Sequence, residues 1–117
     1  MRLSLLATVF LASLLAGCGS VCENVVSQTI SSPSEAFKAV VFSRNCGATT
    51  GFNTQMSILP ANEPLPDEGG NTFITNGSVP IVVNWGSDSS LQISGVGDTP
   101  PIKKNPGVSG VAASYAK

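Results

Sequence analysis

The chain has 117 residues, six basic and seven acidic side chains, three cysteines, no histidine and a formal net charge of −1. That length supports one small domain rather than two, and the near-neutral balance argues against nucleic acid as a partner and against electrostatic capture by anionic lipid. The missing histidine removes the commonest general base and metal ligand, so a Ser-His-Asp triad and a Cys-His dyad are both excluded.

The first predicted element spans residues 1–17. Arg2 and the initiator amine precede an apolar run from Leu3 to Ala16, which has the length of a signal peptide. As a helix this run would rise about 21 Å, short of a hydrocarbon core of about 30 Å. No basic stop-transfer flank follows it. Leu15-Ala16-Gly17-Cys18 resembles the lipobox of bacterial lipoprotein precursors. The resemblance implies cleavage before Cys18, lipidation of its thiol and a membrane partner reached through that anchor. An ordinary secretory signal, with Cys18 a plain thiol, is the alternative. Burial contributes about 0.8 kcal/mol per methylene and stable anchoring takes more than one acyl chain, a condition that a three-chain lipoprotein cysteine meets. Gly19 and Ser20 follow. Neither is the aspartate that retains lipoproteins at the inner membrane of two-membrane bacteria, so in such a host the resemblance implies the periplasmic side of the outer membrane.

Residues 18–23 then read as a lipidated end and short tether, and residues 24–117 as a small β domain. With Cys18 modified, Cys22 and Cys46 remain as an even pair in an oxidising compartment. A bridge between them would close a loop of about 25 residues, worth about 3–4 kcal/mol on the chain-entropy estimate. It would staple the first strand to the end of the second. Two reduced, buried thiols are the alternative. A metal is not supported, because there is no second cysteine pair and no histidine.

Within the domain, Asn24–Ser31 reads as a first strand and Ser32-Pro33-Ser34-Glu35 as a turn whose bend the proline presets. Ala36–Arg44 is the most apolar stretch and predicts a central strand. Phe52, Thr54, Met56 and Ile58 alternate with Asn53, Gln55 and Ser57, which predicts a strand with one core face and one wet face. Pro60–Gly70 carries three prolines and two glycines and reads as a loop. Asn76-Gly77, between Thr72–Thr75 and Val79–Trp85, predicts a type I′ hairpin. Pro80 marks a sheet edge, and Ile81, Val83 and Trp85 share one face. Gly86–Ser90 is a turn, Leu91–Ser94 a short strand, Gly95–Gly107 irregular, and Val111, Ala113 and Tyr115 line a last strand.

Short strands between turn signals predict an all-β fold: one antiparallel meander closed as a sandwich or partly closed barrel. Its expected core is Val26, Phe37, Val40, Val41, Phe42, Phe52, Met56, Ile58, Ile81, Val83, Trp85, Leu91 and Ile93.

Cys46-Gly47-Ala48-Thr49-Thr50-Gly51-Phe52, with Val83-Asn84-Trp85 and Leu91-Gln92-Ile93 downstream, resembles a group of short bacterial secreted or lipid-anchored proteins that carry a domain of unknown function. The resemblance covers about Asn24 to Ser94. It implies a compact β domain and no activity. Where this chain has Ser34-Glu35, that group often has Asp-Gly, so the first hairpin is expected to turn differently.

No catalytic residue is assigned. Lys103, Lys104 and Lys117 lie in irregular or terminal segments and Lys38 on a strand face, which leaves a Ser-Lys pair without support. Asp67 and Glu68 sit on one loop with no acid opposite, unlike the paired carboxylates of glycosidases. With Asn71 they are candidate calcium or ligand contacts, although EF-hand spacing is not met. A solvated polar loop is the plainer account. Thr49 and Thr50 are candidate anion or sugar contacts in a nest of exposed amides, against a plain role in capping the turn. No cofactor is expected. Together these features predict an envelope lipoprotein that binds or structures a protein or glycan without catalysis. The rival functions are an inhibitor or exclusion factor acting on an envelope enzyme or phage receptor, and, last, a hydrolase.

Overall fold

The computed structural model describes residues 21–117. The apolar run, the lipobox and Cys18 lie outside the described residues. Nine strands follow: β1 (Glu23–Ser31), β2 (Phe37–Asn45), β3 (Asn53–Pro60), β4 (Phe73–Asn76), β5 (Val82–Ser87), β6 (Ser90–Ser94), β7 (Lys103–Lys104), β8 (Gly107–Val108) and β9 (Val111–Tyr115). No helix occurs among the described residues, and the all-β class expected from the sequence is the class the chain adopts. The larger sheet has the order β1-β2-β3-β4-β7 and the smaller β5-β6-β9-β8. They pack face to face as an open sandwich.

The first four strands form the expected meander, each antiparallel to its neighbour. The second sheet adds one pairing that a simple meander lacks, since β9 runs parallel to β6. A parallel pair needs a long crossover. Here it is residues 95–110, which cross to the larger sheet, add β7 beside β4, and return through β8.

The inter-sheet core joins Ala39, Val41, Met56, Ile58 and Phe73 of one sheet to Val83, Leu91, Ile93, Val111 and Ala113 of the other, with Ile81 just before β5. Trp85 and Phe37 are half-buried and pack against this core. The Trp85 indole Nε1 donates to Ile30 O at 3.0 Å, tying edge strand β5 to the far end of β1. Nearby the Asp88 carboxylate accepts the Ser34 amide at 3.0 Å, so the turns at that end of the two sheets are joined. Hydrogen bonds from the Ser34 side chain and backbone hold the Asp88 carboxyl below its ordinary value.

Val40 and Phe42 are buried, but with Leu59 and Leu65 on the opposite face of the larger sheet. The loop 61–72 folds back over that face. It also overturns the expectation of a wet side to β3: Gln55 is 6% and Ser57 3% exposed. Gly70 N donates to Gln55 Oε1 at 2.7 Å and Asn71 N to Ser57 Oγ at 3.0 Å. The Asn71 side-chain amide bonds both Ile58 N and Ile58 O, at 2.9 and 2.8 Å, in place of a neighbouring strand.

Two further expectations are corrected. Val26 and Phe52 are not core residues, being 49% and 83% exposed. β1 is an edge strand whose register shifts between Val26 and Gln28. Val26 lies opposite Phe42, on the face that the loop 61–72 crosses, but on the outermost strand, where it stays half-exposed. Phe52 precedes the first residue of β3 and stands clear of both sheets. Nor is Asn76-Gly77 the tip of a type I′ hairpin. Only Gly77 has positive φ, at 87°, whereas that turn needs both residues there. The pair carries the chain from the larger sheet into the smaller, so β4 and β5 are not paired. In the first hairpin, Glu35 takes the left-handed conformation, φ 63°, while its amide donates to Ser32 O at 2.9 Å.

Candidate binding groove at the entry end of the larger sheet

The chain enters the sandwich beside a disulfide. Cys22 and Cys46 are bridged, with Cα atoms 4.0 Å apart, one step beyond the Glu23↔Asn45 pair that opens the β1–β2 ladder. The bridge therefore closes the open end of the hairpin, as the cysteine arithmetic predicts.

At this end the larger sheet overhangs the smaller. The overhang forms two adjoining hollows of about 480 and 310 Å³ that share Val25, Ser43 and Asn53 on their walls. The first is roofed by Ser78, Val79 and Pro80, the segment that passes between the sheets, and floored by Gln28, Val41 and Thr54. The second lies among Arg44, Gly47, Thr50 and Phe52.

Most polar groups on these walls are already matched. Thr54 Oγ1 donates to Gly77 O at 2.8 Å and accepts Val79 N at 2.9 Å, fixing the roof. Asn53 Oδ1 accepts Arg44 N at 2.8 Å while its Nδ2 donates to Arg44 O at 2.7 Å, extending the β2–β3 ladder by a side chain. Ser27 Oγ, at the shift in β1, donates to Val41 O at 3.1 Å. The groove is thus a stiff, mixed apolar and hydroxyl-lined surface, without an acid or base poised for proton transfer.

The four candidate contacts read from the sequence do not converge. Thr50 lies on the groove wall, where its Oγ1 accepts Cys46 N at 3.0 Å and its amide donates to Gly47 O at 3.0 Å. Those bonds cap the turn. Thr49 is exposed beside it. Asp67 and Glu68 belong to the loop on the other side of the larger sheet. There the Arg44 guanidinium donates to Asp67 Oδ1 at 2.9 Å and to Asn24 Oδ1 at 2.8 Å. Asn24 Nδ2 in turn donates to Pro66 O and Glu68 O at 3.0 and 3.1 Å. This network pins the loop to β1 and β2, so Asp67 serves as a latch. No cluster of three or more potential metal-ligating acids or cysteines occurs among the described residues.

The lysine pair is also engaged. Lys103 Nζ donates to Gly70 O at 2.9 Å, and Lys104 Nζ lies 5.1 Å from the centre of the Tyr115 ring. The groove itself was hidden in the sequence because it depends on how far one sheet outruns the other. Its one visible signal was Phe52, an aromatic residue next to the turn Asn45–Gly51. No family model matches the chain, and no curated protein or solved structure matches it.

Proposed function

We propose that the protein is a lipid-anchored component of the bacterial envelope, which displays a small, disulfide-closed β-sandwich as a non-enzymatic binding or structural module. The observation that carries this reading is the sequence Leu15-Ala16-Gly17-Cys18 lying a few residues before a folded, cysteine-bridged domain. A tether that short presents the entry end of the larger sheet, with its groove, close to the anchoring surface. A bridge of this kind suits an oxidising compartment. The matched polar groups of the groove favour recognition over catalysis.

Metabolic labelling with a palmitate analogue tests the anchor. The wild-type chain is expected to take up label and fractionate with membranes. Cys18→Ser is expected to take up none and to remain uncleaved or become soluble. Membrane retention of a cleaved, unlabelled Cys18→Ser chain would refute the reading. Crosslinking from the groove in intact envelopes, followed by mass spectrometry, tests the module. A reproducible protein or glycan neighbour is expected, and turnover of a substrate by the purified protein would instead favour an enzyme.

A further inference from the structure

We infer that Val21, Val25 and Phe52 form a membrane-contact apex, seated on the bilayer that holds the acyl chains of Cys18. The inference rests on the anchor reading given above and adds a fixed orientation to it. These side chains are among the most exposed large apolar groups in the domain, at 84%, 53% and 83%. They also share one end of the molecule. Val25 and Phe52 stand on the walls of the same hollow, and Val21 adjoins the cysteine that is bridged to Cys46.

What covers this apex follows from the chain that precedes it. Val21 lies three residues beyond Cys18, a span of no more than about 11 Å even when fully extended. Acyl chains inserted at Cys18 therefore hold Val21 within that distance of the bilayer surface. The disulfide transmits the constraint to β2, because Cys22 cannot separate from Cys46. A rigid end so confined, bearing an exposed phenyl ring and two valines, meets the interfacial region.

The contact is apolar rather than electrostatic. Arg44, the basic residue at this end of β2, is engaged by Asp67 and Asn24. Glu23 nearby is exposed. A neutral phosphatidylcholine surface therefore suffices, and anionic lipid brings no advantage.

The full lipidated chain, reconstituted into phosphatidylcholine vesicles with brominated acyl chains, provides the test. The native protein has a single tryptophan, Trp85. It is bonded to Ile30, about 25 Å from Cys22 at the rise of an extended strand, and serves as an internal reference. Phe52→Trp adds a reporter at the apex, and Val25→Trp adds an independent one. The added emission is expected to shift to the blue and to be quenched by bromine, since groups seated about 5–10 Å into the headgroup–acyl boundary lie beside it. Trp85 emission is expected to be unaffected. Protein that floats with the vesicles while its apex tryptophans ignore bromine would overturn the inference and leave the anchor standing. Equal quenching of Trp85 would overturn it too, because the domain would then lie flat. Failure of the intact chain to float would remove the anchor and the apex together.

Discussion

The Thr75 side chain is fully buried, and its hydroxyl has no hydrogen-bond partner among the described residues. An unmatched buried hydroxyl costs about 1–3 kcal/mol, whereas an apolar group of the same shape carries no such cost. Thr75→Val is therefore expected to leave the fold intact and raise its denaturation midpoint, while Thr75→Ser lowers it by keeping the hydroxyl and losing the methyl. Chemical denaturation of the two variants separates them. Tyr115 is the opposite case. Its hydroxyl donates to Asn105 O at 2.6 Å and lies 3.2 Å from Thr72 O, and burial pushes its pKa up to about 12. The folded state thus binds the phenolic proton more tightly than the unfolded chain does. Stability from this group is complete below about pH 10, the ordinary tyrosine value, and is lost as pH rises towards 12. Melting temperature is expected to fall across that window in the wild type and to fall less steeply in Tyr115→Phe.

The loop 61–72 governs the larger sheet at the next scale. It makes β2 and β3 buried on both faces, so that the alternation of Gln55 and Ser57 with Met56 and Ile58 does not mark a wet side. Gly70 is its closest approach to the sheet. A Cβ there would stand 2.8 Å from both Met56 O and Phe73 O, whereas at Gly69 the nearest atoms are side-chain groups at 3.4 and 3.5 Å. Gly70→Ala is expected to cost about 1–3 kcal/mol, as overpacking does, with Gly69→Ala close to neutral by thermal melting. Sequence periodicity located β1 to β6 and β9, because each needs only its own pattern of apolar residues. The two-residue strands β7 and β8 were missed: they fall within and at the end of the stretch Gly95–Gly107 expected to be irregular, and exist only by pairing with β4 and β9. Periodicity could not locate the loop's resting place, since Asn24, Arg44 and Asn71 carry no signal of the distant backbone they bind. The Asn76-Gly77 misreading has the same origin. A glycine with positive φ serves a hairpin and a passage between sheets equally well, and only the partners of β4 and β5 decide which is formed. The groove was illegible for a related reason, whereas the Cys22–Cys46 pair followed from counting.

Across the whole molecule, that pair is the covalent link that closes the fold. Cys22→Ser with Cys46→Ser is expected to lose about 3–4 kcal/mol, the value for a loop of this length, and reductant should bring the wild type down to the same midpoint in urea. The position of the bond matters as much as its strength. β1 is an outer strand joined to the body along one side, and a pull on its leading end would open the β1–β2 ladder one rung after another, like a zipper. With Cys22 tied to Cys46, traction from the N-terminal direction bypasses β1 and is delivered to β2, flanked on both sides by strands. Separating β2 requires many rungs to shear at once. A load applied through Cys22 would thus strain the strongest part of the fabric and spare the hem.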